Sequence, residues 1–217
     1  YPASPTQKRV YLHHRMEQEG VGYNIPSVWI LDGDITADRL EKIFKTLICR
    51  HESFRTSFVS MDENVVQKIN RDVEFTLQYF DISKEPISCN PQTETSRENF
   101  VRPFDLSRAP LLRVRLIKEI QNQYVLMVDM HHIISDYVSM KILTREFMAL
   151  LGGEVLPPLS LQYKDFFQWQ HKREALGEID RQEDYWRNRF QSPLPILDIP
   201  TDYERPTEPS FEADTLD

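Results

Sequence analysis

The residues best suited to chemistry lie in one short segment, Met130-His131-His132-Ile133-Ile134-Ser135-Asp136. An imidazole can take or give a proton near neutral pH, and a nearby carboxylate can orient it or balance its charge. Strand alternation separates the two histidines. Tyr124, Leu126, Val128, Met130 and His132 share one face, and Val125, Met127, Asp129 and His131 share the other. Side chains on opposite faces do not form a metal pair. His132 ends the more apolar face, where burial would keep it neutral and able to act as a base. Ser135 is close by but lacks the G-x-S-x-G surroundings of a nucleophile elbow, so a serine hydrolase is set aside. The competing reading is that a His-His pair at a strand end is purely structural. His13 and His14 on a first helix, His51 at the end of a second and His171 on a polar helix are read as structural or solvated, His51 suiting the helix dipole.

Those side chains need a scaffold, and the pattern of the chain supplies one. Ser4-Pro5-Thr6-Gln7 is a capping-box start to a helix running to about Glu19, before Gly20. Ile25 to Leu31 reads as a strand, followed by the turn Asp32-Gly33-Asp34. Leu40, Ile43, Phe44, Leu47 and Ile48 recur at helical spacing and predict a helix with one apolar stripe. Phe54 to Val59, Asn64 to Ile69, Phe75 to Phe80, Leu111 to Ile117 and Tyr124 to His132 read as strands. Lys84 to Gln92 reads as a loop, followed by a polar helix ending near Val101. Val138 to Leu151, Tyr163 to Leu176 and Ile179 to Phe190 read as helices, and residues 191–217 as a Pro-rich connector. Helices mixed with hairpin-linked strands predict an α+β fold, a mixed α/β sandwich, rather than a doubly wound sheet.

The 217 residues, 40% hydrophobic, can bury a sizeable core as one domain or one lobe of a larger one. Charged residues at 28% and aromatics at 11% fit a globular chain rather than a disordered one. A net charge of -8 with no basic block argues against nucleic acid as partner. No run of 18 apolar residues or signal-like start is present, so a cytoplasmic setting away from membranes is expected. Cys49 is read as a small core residue within a helical pattern and Cys89 as a loop residue; no CxxC spacing suggests zinc. A first residue other than Met suggests a piece excised from something longer.

His131-His132-x-x-x-Asp136 resembles the His-His-x-x-x-Asp-Gly signature of condensation domains of nonribosomal peptide synthetases. Ser4 to Arg9 is similar to that family's opening Ser-x-x-Gln-x-Arg helix. Arg50-His51-Glu52-Ser53-Phe54-Arg55-Thr56-Ser57-Phe58 resembles its Arg-His-Glu-x-Leu-Arg-Thr-x-Phe motif, with Phe54 in the Leu place. Pro103-Phe104-Asp105-Leu106, Tyr163-Lys164-Asp165-Phe166 with Trp169-Gln170, Tyr185-Trp186 and Leu197 to Pro206 follow in family order. The resemblance implies a chloramphenicol-acetyltransferase-like lobe, residues 1–190, and a connector toward a C-terminal lobe outside the sequence. It also implies peptide-bond formation between two thioesters on the phosphopantetheine arms of donor and acceptor carrier domains. Epimerization, or an inactive module that only recruits a partner, are the alternatives. The fragment alone is expected to be inactive. The cyclization variant, with Asp for both histidines, is set aside.

No metal or bound cofactor is implied, because the thioester is already activated and the enzyme mainly positions two ends. An α-amine titrates near 7.7–8.0, so roughly a tenth is neutral at pH 7 without a strong base. On the resemblance, His132 takes the ammonium proton, orients the amine or stabilises the tetrahedral intermediate. His131, Asp136 and Arg55 support the site. Asp136 is expected either to form a salt bridge with Arg55 or merely to cap the next helix. Tyr163 and Trp169 are read as packing residues. Tyr137 replaces the family's Gly and is expected to have a negative φ. Its ring would either line the substrate tunnel or fold away onto the lobe.

Overall fold

The computed structural model describes the chain apart from residues 17–19, 63, 84–98, 121, 178–179, 192, 195–198 and 204–217. The segment read as a loop and polar helix after Lys84, Cys89 within it, and much of the Pro-rich connector lie outside the described residues. The chain divides into two compact units, Tyr1–Asp165 and Phe166–Asp217.

The first unit opens with α1 (Pro5–Met16), capped as the sequence predicts. Ser4 N donates to Gln7 Oε1 at 2.9 Å, and Gln7 N donates to Ser4 Oγ at 3.2 Å. β1 (Asn24–Asp32) and α2 (Ala37–Arg50) follow, then a 3-10 turn (Glu52–Arg55), β2 (Thr56–Met61) and β3 (Asn64–Ile69). The strand expected over Phe75 to Phe80 is shorter, β4 (Gln78–Asp81), because Phe75 and Leu77 before it turn into the main core. β5 (Leu112–Ile120), β6 (Gln123–His131) and α3 (Tyr137–Leu151) complete the scaffold. α4 (Tyr163–Ala175) begins within this unit.

Four strands form a mixed sheet in the order β1-β6-β5-β4, and β2 and β3 form a separate hairpin. β1 and β5 flank β6 antiparallel, and β4 runs parallel to β5. The α2 stripe Leu40, Ile43, Phe44, Leu47 and Ile48 is fully buried with Phe147 of α3 and with Leu126, Val128 and Met130 of β6. A helix-on-sheet layer of this kind is the mixed α/β sandwich that the pattern predicts. The opposite face of β6 packs Val125 and Met127 against Ile82, Phe100 and Ile117. Cys49 departs from expectation: it is exposed, because one step past Ile48 turns about 100° away from the buried stripe.

Within the second unit α5 (Asp180–Arg189) follows the rest of α4. Trp169, expected as a packing residue, is 52% exposed, with the Arg173 guanidinium 4.8 Å from its ring centroid. No described helix is long and apolar enough to cross a membrane.

Candidate active site

β6 ends at His131, and the backbone turns at once. His131 N donates to Leu111 O at 3.1 Å, His132 N to Tyr23 O at 2.7 Å and Ile134 N to His131 O at 3.1 Å. The His131 ring is fully buried and helps to shape that turn. Its Nδ1 accepts from Ile133 N at 3.1 Å, so the ring proton lies on Nε2, 3.4 Å from His14 Nδ1. His14 and Phe104 meet the ring edge-on, with centroids at 5.0 and 6.0 Å. Burial pushes the His131 pKa down to about 3, helped by His14, His132 and Arg113, so it is neutral across the physiological range.

His132 points the other way and is exposed. The alternation read from the sequence therefore describes this strand end, but the burial expected at His132 belongs to His131. The reason is tertiary: His132 lies one residue past the strand, where the helix-covered face gives way to an open cleft. That cleft is a cavity of about 430 Å³. Gln7 and Val10 of α1, Glu52 and Ser53 of the 3-10 turn, and Tyr163 and Lys164 at the start of α4 line it together with His132 to Asp136. Lys164 pairs with Glu52 on its wall. Tyr163, also read as a packing residue, is half exposed and donates its hydroxyl to Ser4 Oγ at 3.0 Å. Gln7 Nε2 reaches Ile133 O at 3.4 Å, tying α1 to the turn that carries His132.

Asp136 does not pair with Arg55. Its Oδ1 accepts from Ser139 N and Ser139 Oγ, both at 2.7 Å, which caps α3. The Ser139 bonds, with smaller help from His132, hold this carboxyl below its usual range. Arg55 instead donates to main-chain carbonyls: Ile48 at 3.2 Å, Cys49 at 3.5 Å, Asn70 at 2.5 Å and Arg71 at 3.3 Å. A guanidinium occupied by the last carbonyls of α2 is a C-terminal cap, so it lends its charge to the helix end rather than to Asp136. Tyr137 is the first residue of α3, without the positive φ that a glycine would permit. Its ring is 73% exposed, carries Lys141 Nζ 4.5 Å from its centroid, and does not line the cavity.

Sequence reasoning missed the buried polar group behind His131. Asp129, two residues earlier on the same face, is fully buried and accepts from Arg113 Nη1 at 2.9 Å and Asn24 Nδ2 at 2.8 Å. Arg113 also donates to Arg102 O at 2.5 Å and Pro103 O at 2.6 Å and stacks 3.6 Å from the Phe104 ring centroid. Burial pushes the Asp129 carboxyl above its usual range, although Asn24 and Arg113 pull it down. An aspartate interrupting an apolar strand, in phase with a histidine, was the available signal. Among the described residues, no three His, Cys, Asp or Glu side chains are grouped to hold a metal ion.

Residues 1–217 match the family described as Condensation domain. Bacitracin synthase 3 of Bacillus licheniformis is 44% identical over 216 residues, covering 100% of this chain and 3% of that protein. Gramicidin S synthase 2 of Aneurinibacillus migulanus is 45% identical over 216 residues, covering 100% of this chain and 5% of that protein. The chain belongs to the condensation-domain family of nonribosomal peptide synthetases. Its fold agrees with that assignment. The crystal structure of the starter condensation domain of rhizomide synthetase RzmA superimposes with a TM-score of 0.76 at 19% identity. The match covers 89% of this chain and 49% of that one. This condensation-domain chain thus spans only a few per cent of its curated relatives and about half of a solved condensation domain.

Proposed function

We propose that this chain supplies one side of the site at which a condensation domain joins two carrier-bound acyl groups by a peptide bond. The observation that carries the reading is His132: an exposed imidazole on a fixed turn, projecting into a cavity of about 430 Å³ beside a buried, neutral histidine. Donor and acceptor thioesters are presented on the phosphopantetheine arms of two carrier domains. A second lobe of the same domain closes the cleft and brings the thioester carbonyl to the amine. His132 contacts that amine; it removes the ammonium proton or holds the neutral amine in line as the tetrahedral intermediate forms. The turn supplies the rigidity, because Tyr23 O, Leu111 O and the His131 ring fix the backbone on both sides of His132. Membership of the family and the synthetases that resemble this chain support the reading.

The test is single-turnover amide formation between a loaded donor carrier and a loaded acceptor carrier, read by mass spectrometry on the synthetase module that contains this chain. His132→Ala lowers the rate at least about tenfold, the lower side of what a lost acid–base group costs, with thermal unfolding unchanged. Full activity in His132→Ala, or no amide from the unaltered module with any loaded pair, overturns the proposal. The 217-residue chain by itself forms no amide, because positioning needs both sides of the cleft.

A further inference from the structure

A second, smaller recess of about 90 Å³ shares Ser53, Ile134, Ser135 and Ser139 with the His132 cavity. Its remaining wall is apolar: Phe54 from the 3-10 turn, Met130 from β6, and Ile142 and Leu143 from α3. His51 sits at its edge, its Nε2 held 2.6 Å from Glu146 Oε2. Burial alone would raise the Glu146 carboxyl, but the bonds to His51 and Arg50 outweigh it and keep the carboxylate charged.

Two of the three hydroxyl donors lining this recess are already used. Ser135 Oγ donates to His131 O at 3.2 Å, and Ser139 Oγ donates to Asp136 Oδ1 at 2.7 Å. An ammonium or carboxylate entering here would lose water against a mostly hydrocarbon wall, whereas an alkyl group would gain by leaving water. Size narrows the occupant further. A cavity of about 150 Å³ accommodates benzene, so 90 Å³ suits a branched chain of a few carbons better than an indole or phenol ring. The recess adjoins the cavity that His132 lines, since Ile134 and Ser135 of the same turn belong to both walls.

We infer that this recess is a side-chain subsite selecting a short aliphatic residue in one of the two acyl groups joined at His132. The inference rests on the peptide-bond-forming reading above. Ile142, half-buried on the recess wall and outside the fully buried core, is the specificity-determining residue.

Amide formation is measured in the synthetase module with two substrate panels. One varies the donor among alanyl, valyl, leucyl, phenylalanyl and tryptophanyl groups against a fixed acceptor; the other varies the acceptor against a fixed donor. In one panel valine or leucine exceeds tryptophan at least about tenfold in kcat/KM, the discrimination that one or two methylenes confer in an apolar pocket. The panel showing it identifies which acyl group enters. Ile142→Ala widens the recess and shifts that panel toward phenylalanine, leaving the other panel unchanged; Ile142→Val gives a smaller shift should the alanine variant fold poorly. Product with every substrate but no change of rank order in either Ile142 variant overturns the subsite. No product with any pair overturns the peptide-bond reading itself. A readout without turnover separates the two: valine methyl ester shifts the Ile142 methyl NMR resonance and tryptophan methyl ester does not. An unmoved Ile142 methyl with both esters overturns the subsite directly.

Discussion

His131 and His132 are adjacent in sequence and opposite in circumstance. His131 is sealed among His14, Tyr23 and Phe104, with both ring nitrogens facing partners and its pKa driven down to about 3. His132 stands in an open cavity wall with its backbone pinned. One peptide step at the end of a strand thus separates a histidine that has become framework from one left free to meet a substrate. The framework side is also the more expensive to disturb, because it holds a buried charge as well as a buried ring.

The largest effect on the framework side is expected at Arg113. Removing it strands the buried Asp129 carboxylate, and Arg113→Ala costs about 3–5 kcal/mol by urea unfolding, the usual cost of breaking a buried pair. A loss under about 1 kcal/mol would show that Asp129 is satisfied without Arg113 and would remove the contrast between the faces.

Next comes the pH dependence of His131. The native ring accepts a proton only near pH 3, and an unfolded histidine accepts one near 6.5. Between those values the unfolded chain binds the extra proton, so stability falls as pH falls, by up to about 1.4 kcal/mol per pH unit; above about 6.5 this histidine adds no slope. His131→Asn, which keeps an acceptor for Ile133 N, flattens the stability curve over that window relative to the unaltered protein. Parallel curves in urea titrations at pH 4.5, 5.5 and 6.5 would mean that His131 titrates normally.

On the open side the expected costs shrink. Asp136→Ala removes the cap of α3 and lowers stability by about 1 kcal/mol. Arg55→Met in the same background adds its own loss without coupling, because the two residues have separate partners. A coupling energy above about 0.5 kcal/mol in that double-mutant cycle would restore the salt bridge expected from the motif. Smallest of all is Tyr137→Ala, which changes the amide-forming rate by less than about twofold, since the ring lies outside the cavity and the substitution is a surface one. A large gain or loss would place the ring in the substrate's path.

What the sequence revealed was local or periodic. The α2 stripe, the Ser4–Gln7 capping box, the opposed histidines and the negative φ of Tyr137 all follow from spacing, side-chain type or sterics within a few residues. What it hid was decided at long range. Which of the two histidines at the end of β6 is sealed depends on α1 and on the segment around Phe104, both distant from residue 131. Arg55 looked like Asp136's partner through motif membership, but main-chain carbonyls of Ile48, Cys49, Asn70 and Arg71 take its donors. Cys49 looked internal because it adjoins apolar neighbours, although one helical step carries it off the stripe.

The sheet order also imposes a timetable. β1 hydrogen-bonds to no described strand except β6, and residues 24–32 pair with residues 123–131. On a ribosome adding about 5–20 residues per second, the hundred or so residues between them take roughly 5–20 s to make. For that interval β1 has no sheet to join, and Val28 and Ile30, exposed even in the finished fold, lie on an unpaired strand. The turn bearing His132 is equally late: Tyr23 O, which accepts from His132 N, is synthesised early and waits for its donor. The site therefore comes into being only when the newest strand slides in beside one of the oldest.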